Sequence, residues 1–409
     1  MKRFISLLSA ILGLIIFTWS CGSDSTGPGS DFSSEYEFIA MHWDPDSNDS
    51  PYFSLLNIQD GEPDFTHLTD VYPYSSPSSF ASWKRSFYQA NGILGFTLHS
   101  DLSEKVTNNY GEELTRWTGV WMDLRDGEIH EVPTLNPCTD FGYDPGCDRY
   151  SYTAIKSVRI GKSGHVFYVA MSAYKAGGWH DEPRYRLIRL DRQSGEYDVS
   201  PLISNWTLSQ PEINPETYGL ARISERIFPS ACGRYLYGKT WAWGISGGNL
   251  IASDALMFRY DFDVEDYTRV EEVNYGYTMN YSTADDRYLI YRYDGNNYRY
   301  DTQTGQATQL QEGVGTYSGQ TNSNNYGVID DPFPMTILGV RNVVADDFVD
   351  IPVPRQPRRP IFSADGNQAY FFYHNSEINY LLRISDLTEE ATVDTVAILP
   401  ENVRVMTIY

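Results

Sequence analysis

The chain has 409 residues, of which 41% are hydrophobic and 15% aromatic, a composition typical of a globular protein with a buried core. Its 54 acidic residues outnumber its 31 Lys and Arg residues, which gives a formal net charge of −23 at pH 7. So negative a surface repels phosphate backbones and anionic lipid headgroups, and nucleic acid is therefore excluded as a partner. The 32 tyrosines suit the half-buried, pleated surface of β-strands and favour an all-β protein.

The first 21 residues have the order of an export signal. Lys2 and Arg3 precede an apolar run at residues 4–17, which is too short to span a bilayer comfortably, and Cys21 ends the segment. This order resembles a bacterial lipoprotein signal and implies that Cys21 is lipidated, although Thr18 stands where such signals prefer Leu. Ordinary secretion and an uncleaved anchor remain alternatives.

Two further segments follow the signal. Residues 22–34 are rich in Gly, Ser and Pro and are predicted to form a flexible tether. Residues 35–409 are predicted to form the folded domain. We therefore expect an exported protein of the bacterial cell envelope, on the periplasmic or surface side of the outer membrane, that contacts the membrane only through its N-terminal lipid.

The three other cysteines differ in their surroundings. Cys138 and Cys147 bracket a short loop that contains Pro and Gly, and they are predicted to form a disulfide in an oxidising compartment. Cys232 lies just before a predicted strand and is expected to be a free, buried small hydrophobe.

Two turn patterns recur along the folded domain. The first has Asp, Asn or Ser, then two residues, then Asp, Ser or Thr, Gly, and Glu or Gln; it suits a β-hairpin because Gly accepts positive φ. It occurs, intact or degenerate, at residues 57–62, 123–128, 191–196, 261–266, 301–306 and 385–390. The second is a short turn ahead of an aromatic-rich strand, and it occurs at residues 161–164, 230–233, 283–286 and 363–366.

The clearest repeat unit is residues 280–313, which are predicted to form four short strands joined by tight turns. Phe362-Ser363-Ala364-Asp365-Gly366, followed by strands at residues 369–371 and 381–385, resembles the Ser-x-Asp-Gly repeat of TolB-like β-propellers. The resemblance covers residues 35–409 at the level of fold and implies four-stranded blades. Six hairpins predict six blades, and a degenerate seventh could lie within residues 314–360.

The last strand of the chain is predicted to close the ring of blades. Residues 403–409 alternate between apolar and polar like a strand but have no hairpin partner of their own. We expect them to pair beside the first blade, which begins at residues 35–39, because closure removes an exposed sheet edge.

Connection lengths predict the binding face. In such a blade the two recurring turns lie on one rim, and the remaining connections lie on the other. The long connections of the second kind are residues 100–117, 136–152, 172–184, 205–216, 244–254 and 314–358. Insertions that gather on one face usually mark the binding face, so the ligand site is predicted there.

One of these connections carries the predicted contact residues, which are Trp179, His180, Asp181 and Glu182. An aromatic side chain, an imidazole and two carboxylates suffice for ligand binding or acid/base chemistry. A polar exposed loop without a function is the alternative interpretation.

Other motifs are weaker. Gly244-Ile-Ser246-Gly-Gly248 has the letters of a nucleophile elbow but is predicted to be a flexible glycine-rich loop. Trp241 and Trp243 just before it could stack on sugar rings, or pack in the core.

Metal and cofactor motifs are equally weak. No phosphate loop, dinucleotide fingerprint, HExxH or CxxC sequence occurs, so no catalytic or metal-binding residue is assigned. Ca²⁺ bound by acidic side chains around the predicted disulfide is the one cofactor considered, and the candidates are Asp140, Asp144 and Asp148.

The predicted function is non-catalytic binding of a protein or glycan ligand by an envelope lipoprotein. The enzyme alternative is a glycan hydrolase or lyase that uses Asp181 and Glu182. A structural subunit of an envelope assembly is the third possibility, and it is implied by the TolB-like resemblance alone.

Overall fold

The computed structural model describes residues 37–42, 52–70, 88–90, 93–98, 105–107, 113–115, 118–123, 127–145, 147, 153–161, 163–172, 184–203, 218–223, 227–230, 232–246, 249–252, 255–273, 278–282, 287–293, 296–310, 316–317, 326–330, 337–342, 347–352, 358–362, 368–374, 379–387 and 391–408. These residues are almost entirely β-structure, with one short 3-10 helix at Thr139–Phe141. No helix among them is long and apolar enough to cross a membrane.

Among the described residues the strands form seven antiparallel sheets of four or more strands, numbered in chain order, and one separate two-stranded sheet. Sheet 1 begins with β1 (Glu37–His42), β2 (Tyr52–Gln59) and β3 (Glu62–Asp70). Sheet 2 contains β4 (Tyr88–Ala90), β5 (Ile93–Leu98), β8 (Thr118–Asp123) and β9 (Ile129–Glu131), with a separate hairpin of β6 (Lys105–Thr107) and β7 (Glu113–Thr115). Sheet 3 contains β10 (Thr153–Ile160), β11 (Val166–Ser172), β12 (Tyr185–Leu190) and β13 (Tyr197–Val199).

Sheet 4 is the largest, with β14 (Tyr218–Ile223), β15 (Phe228–Pro229), β16 (Tyr235–Ser246), β17 (Asn249–Ala252), β18 (Ala255–Asp261) and β19 (Asp266–Val273). Sheet 5 contains β20 (Thr278–Ser282), β21 (Tyr288–Tyr293), β22 (Asn296–Asp301) and β23 (Gln306–Gln309). Sheet 6 contains β24 (Thr316–Tyr317), β25 (Tyr326–Asp330), β26 (Ile337–Asn342) and β27 (Asp347–Pro352). Sheet 7 contains β28 (Arg358–Phe362), β29 (Gln368–His374), β30 (Asn379–Ser385) and β31 (Thr392–Leu399), and β32 (Val403–Ile408) returns to sheet 1.

Sheets 2 to 7 are up-and-down meanders whose main strands pair in chain order, with the β6–β7 hairpin between β5 and β8 of sheet 2 and small additions in sheet 4. In these sheets the turns between first and second strands and between third and fourth strands lie at one end. In sheet 1, where β32 takes the first position, the turn between β2 and β3 lies at the corresponding end. We call this end the short-turn rim, and the opposite end, with the connections between second and third strands and between sheets, the long-connection rim. All-β structure with several four-stranded antiparallel sheets is consistent with a β-propeller.

The predicted hairpins are confirmed. The repeat unit at residues 280–313 forms sheet 5, and all six predicted hairpins join a third strand to a fourth strand. Residues 314–358 contain the four strands of sheet 6, so the expected long connection was wrong, whereas the alternative of a further repeat unit within residues 314–360 agrees with the structure. The hairpin between β26 and β27 lacks the glycine-containing pattern, so its sequence carries no turn signal.

The predicted pairing of the chain ends is also confirmed. Strand β32 pairs antiparallel with β1, with Phe38 opposite Ile408 and His42 opposite Val403. In sheet 1 the strand order is β3-β2-β1-β32, so β32 takes the position that β10 and β20 hold in their own sheets. Three strands from the start of the chain and one from its end thus complete a single sheet.

The hydrophobic core lies between neighbouring sheets. One cluster joins sheets 2 and 3, a second joins sheets 3 and 4, a third joins sheets 4 and 5, and a fourth joins sheets 7 and 1. Tyrosines contribute strongly, because their rings pack between sheets while their hydroxyl groups donate to backbone oxygens just after the last strand of the preceding sheet. Tyr168 donates to Pro133 at 3.0 Å and Tyr267 to Pro201 at 3.1 Å. The abundant tyrosines are thus inter-sheet core residues as well as surface ones.

The contact between sheets 7 and 1 is expected to contribute strongly to the stability of the fold. The Phe38 side chain is fully buried there, with its ring centroid 5.0 Å from that of Tyr370 in an edge-to-face arrangement. Phe38→Ala should lower the free energy of unfolding by about 3–5 kcal/mol, measured by urea denaturation, because it leaves a cavity. Ile398→Ala, at a side chain that is 55% exposed, is the matched control and should change it by less than about 1 kcal/mol. Equal effects of the two substitutions would contradict this packing.

Candidate functional site

The four predicted contact residues, Trp179, His180, Asp181 and Glu182, lie outside the described residues. The two ends of the connection that carries them are described, and they are held together. The Ser172 amide donates to the Arg184 carbonyl at 3.0 Å, and the Arg184 amide donates to Ser172 Oγ at 3.3 Å. Because Ser172 ends β11 and Arg184 precedes β12, this connection begins and ends on the long-connection rim.

A second connection on the same rim, residues 136–147, is the disulfide loop. Cys138 and Cys147 are disulfide-bonded in the structure, with their Cα atoms 5.8 Å apart. The Asn136 side-chain oxygen accepts hydrogen bonds from the amides of Cys138 at 2.9 Å and Thr139 at 3.0 Å, so it starts the 3-10 helix in the way that Asn commonly begins a turn. The Phe141 side chain is fully buried and anchors the loop to the core between sheets 2 and 3.

Two arginines at the start of β12 fasten the disulfide loop to sheet 3. Arg184 Nη1 donates to the carbonyls of Phe141 at 2.7 Å and Gly142 at 2.9 Å. Arg186 Nε donates to the Asp140 carbonyl at 2.7 Å. These guanidinium groups satisfy the carbonyls that the end of a short helix leaves without partners.

An aromatic ring completes this attachment. The Arg184 guanidinium lies over the Tyr143 ring, 4.1 Å from its centroid, which is the geometry of a cation–π contact. One side chain, Arg184, therefore contacts both the helix end and the ring that follows it.

The two connections consequently adjoin at Arg184. On the disulfide loop Thr139, Gly142 and Asp144 are exposed. The candidate functional site is this junction, where the braced loop lies beside Ser172 and Arg184, the described ends of the connection that carries the predicted contact residues.

The disulfide loop carries the acidic side chains that the sequence suggested as Ca²⁺ ligands. Asp140 Oδ2 accepts a hydrogen bond from the Asn136 amide at 2.6 Å, so this carboxylate supports the turn. Asp148 lies outside the described residues. Among the residues that the structure describes, no group of three or more His, Cys, Asp or Glu side chains could hold a metal ion.

Two expectations about the second half of the chain were wrong. Cys232 is disulfide-bonded and only partly buried, with its Sγ 3.3 Å from Ser230 Oγ, where a free and buried thiol was expected. The reason is its place in the turn before β16, which leaves the side chain near the surface. The partner of Cys232 lies outside the described residues.

The other error concerns the glycine-rich motif. Residues 244–246 are the regular end of β16 and pair with β17, with Gly244 opposite Ile251 and Ser246 opposite Asn249. A strand that continues into a hairpin cannot form a nucleophile elbow, which needs a helix after the turn. Trp241 and Trp243 fall within β16, and their side chains lie outside what the structure describes.

Sheet 1 places an imidazole at the long-connection rim. His42 Nε2 lies 2.6 Å from Ser54 Oγ, and the His42 ring stacks on Tyr52 with centroids 4.2 Å apart. Burial, with a smaller effect from the nearby His67, lowers the pKa of His42 to about 4. His42 is therefore neutral at pH 7 and packs as an aromatic core side chain.

The short-turn rim of sheet 3 carries an open pocket of about 550 Å³. Its lining includes His165, Arg189, Asp191, Glu196, Tyr197 and Asp198. His165 Nδ1 lies 3.0 Å from Ser163 Oγ. Burial and the nearby Arg189 charge hold the pKa of His165 below its usual value. None of the contact residues predicted from the sequence lies at this pocket, because all of them belong to connections of the other rim.

The similarity of this chain to known proteins is distant. No protein-family model matches the sequence, and no curated protein matches it significantly. Structural neighbours include a 6-phosphogluconolactonase-like protein from Bacteroides uniformis, at 13% identity and a TM-score of 0.47, with 91% of this chain and 98% of that chain covered. A similar protein from Bacteroides fragilis has 12% identity and a TM-score of 0.44, with 90% of this chain and 98% of that chain covered. TolB from Acinetobacter baumannii has 12% identity and a TM-score of 0.38, with 87% of this chain and 78% of that chain covered.

The attachment of the disulfide loop generates the second prediction. Arg184→Ala removes both hydrogen bonds to the helix end, so the Gly142 and Tyr143 amides, which bond to Thr139 and Cys138, should exchange with deuterium at least about tenfold faster. The Leu187 amide, bonded to Ser200 Oγ, is the internal reference and should exchange at the same rate. Unchanged exchange at Gly142 and Tyr143 would contradict the role of Arg184 in holding the loop.

Proposed function

We propose that the protein is an exported, lipid-anchored β-propeller of the bacterial cell envelope, with seven blades, that binds a protein or glycan ligand without converting it. In this proposal the ligand contacts the long-connection rim, at the junction of the disulfide loop and the connection that carries Trp179 and His180.

The observation that carries the proposal is the attachment of the disulfide loop by Arg184. A loop tied by a disulfide, by three guanidinium hydrogen bonds and by a buried Phe141 loses little conformational entropy when a ligand binds. Preorganised loops beside an aromatic side chain favour tight binding of another surface. The disulfide also suits an oxidising compartment such as the bacterial periplasm or the cell surface.

The number of sheets supports the proposed count of seven blades. Seven antiparallel sheets of four or more strands occur among the described residues, and each hydrophobic cluster lies between two consecutive sheets. The pairing of β1 with β32 supports closure of these sheets into a ring. One blade per sheet is therefore the simplest assignment.

A ligand is needed for a direct test, and co-purification from detergent-solubilised envelopes with the full chain as bait would supply one. With that ligand, Trp179→Ala should weaken binding by more than about fivefold, with the melting temperature unchanged. Thr304→Ala, at an exposed residue of the short-turn rim, is the matched control and should leave the affinity unchanged. Reversed effects would place the ligand on the other rim.

The same material distinguishes binding from catalysis. If the co-purified ligand is a glycan that the protein cleaves, and if Asp181→Asn and Glu182→Gln abolish cleavage while binding persists, the non-catalytic proposal is wrong and the hydrolase or lyase alternative is correct. Binding without any cleaved product supports the proposal.

The anchor has its own test. The protein should incorporate a palmitate analogue during growth, and Cys21→Ser should abolish the label. The chain has four cysteines and Cys138 pairs with Cys147, so Cys21 is the one cysteine left to pair with Cys232. A lipid thioether would consume the Cys21 thiol, so the lipid anchor and this disulfide exclude each other. Lipidated protein should therefore carry a free Cys232 thiol, and a peptide map with Cys21 in a disulfide would contradict the anchor. Label that persists in Cys21→Ser would contradict it as well.

A further inference from the structure

The two edge strands of a sheet differ in burial. In sheet 3 the described side chains of the first strand, β10, are at most 5% exposed, whereas Tyr197 in the fourth strand, β13, is 44% exposed. In sheet 1 Val403 and Val405 of β32 are buried, while no side chain of β3 is buried. The first-strand edge of these sheets is therefore covered by the rest of the protein, and the fourth-strand edge faces solvent.

First strands also contact each other across the boundaries between sheets. Strand β28 contacts β32, β4 contacts β10, and β20 contacts β24. Together with the burial of β10 and β32, these contacts place the first strands around the axis of the ring that the proposed function assumes.

Charge is distributed unequally between the two edges. The described first strands contain six Lys or Arg residues and no Asp or Glu. The six are Lys156 and Arg159 in β10, Arg222 in β14, Arg358 and Arg359 in β28, and Arg404 in β32. The described fourth strands contain eleven Asp or Glu residues and one Arg, Arg269 in β19. In a chain with a net charge of −23, positive charge is thus concentrated at the ring axis.

Strand β10 combines two of these basic residues with an irregular backbone. Its register against β11 shifts between Ile155 and Ser157, so Lys156 is the extra residue of a β-bulge. A bulge interrupts the pairing of a strand and changes the direction of its side chains, and bulges are common beside functional sites.

A buried hydroxyl group lies between the two basic residues. Ser157 and Arg159 are opposite Val169 and Phe167, which belong to the core between sheets 3 and 4, so both side chains are on the face toward sheet 4. Ser157 is 4% exposed, and its Oγ has no hydrogen-bond partner among the described residues. A buried hydroxyl without a partner is destabilising, so a bound acceptor beside it would be favoured.

The Arg159 side chain lies at the axial edge of the neighbouring sheet. It is 4% exposed, and its guanidinium carbon is 4.8 Å from the centroid of the Phe228 ring. Phe228 is in β15, which pairs with β16 on the same side as β14. A positive charge is therefore buried where sheets 3 and 4 meet beside the axis, and the interior strengthens its interaction with an anion.

We propose that residues 156–159 of β10, at the ring axis, bind a small molecule that carries an oxyanion, a carboxylate or a phosphate. Lys156 and Arg159 supply positive charge, because ammonium and guanidinium groups make charge-assisted hydrogen bonds to such oxygens. Ser157 donates the hydrogen bond for which the described residues offer no acceptor. The acidic fourth strands repel anions from the outside of the ring, so the field directs them to the axis. This inference rests on the ring of the proposed function and not on its ligand site.

The first test uses inorganic phosphate and citrate as probes, with the full chain in non-ionic detergent. Isothermal titration calorimetry at an ionic strength held constant with NaCl should show saturable binding of at least one probe, with a Kd of about 1 mM or lower. The probe that binds more tightly identifies the group as a phosphate or a carboxylate. Absence of saturable binding of both probes overturns the proposal.

Ser157→Ala separates a binding role from a structural one. Without a probe, the substitution removes a buried hydroxyl that lacks a partner, so the melting temperature should stay the same or rise. Binding of the tighter probe should nevertheless weaken at least about threefold, because a donor is lost. Unchanged binding in Ser157→Ala would overturn the proposal.

Charge variants then locate the site. Lys156→Gln removes one positive charge from the axis and should weaken binding of the tighter probe at least about fivefold. Arg269→Gln, an equal charge change in the fourth strand of sheet 4, is the matched control and should leave binding unchanged. Equal effects of the two variants would mean that the probe responds to net charge and not to the axis, and would overturn the proposal.

Failure of this inference is distinguishable from failure of the proposed function. Trp179→Ala tests the ligand site on the long-connection rim and should leave binding of phosphate and citrate unchanged. A protein that binds its co-purified ligand but neither probe would overturn this inference alone. A protein that binds a probe at the axis but no protein or glycan ligand would overturn the proposed function alone.

Discussion

The pairing of β1 with β32 is the interaction on which the rest of the structure depends. It completes sheet 1 from both ends of the chain, and it buries Val403 and Val405 with Phe38 in the core between sheets 7 and 1. Without β32, β1 would be the edge of a three-stranded sheet, with an unpaired row of amides and carbonyls beside a partly uncovered core. The contact joins residues more than 350 positions apart in the chain, so its formation carries a high loop-closure entropy.

In this meander topology the two rims of the sheets vary in different ways. Short turns at one rim leave little room for variation, so a change there is a change of single side chains. At that rim of sheet 3, single side chains of the turns, among them His165 and Asp191, line an open pocket. At the other rim the variation is in connection length, and the disulfide loop and the connection after β11 meet at Arg184.

Much of this fold was predictable from local signals. Sheet 5 and the six hairpins follow from turn residues that act within a few positions, such as the Asp301 side chain that accepts from the next amides. Sheet 6 was predicted only as an alternative, because the sequence between β26 and β27 lacks the glycine that marks the other hairpins. The attachment of the disulfide loop was not predictable, because Arg184 contacts Phe141 across 43 positions without any sequence pattern.

Ring closure is the central claim, and cross-linking at the paired positions tests it most directly. Ala40 and Val405 are opposite each other across β1 and β32, so the Ala40→Cys/Val405→Cys protein should form a disulfide under mild oxidation, mapped by mass spectrometry. Ala40→Cys/Ser54→Cys, across β1 and β2, is the positive reference. A disulfide in both proteins is the predicted result. A disulfide in the reference protein, with only free thiols at positions 40 and 405 in the other, would contradict the closure of the ring.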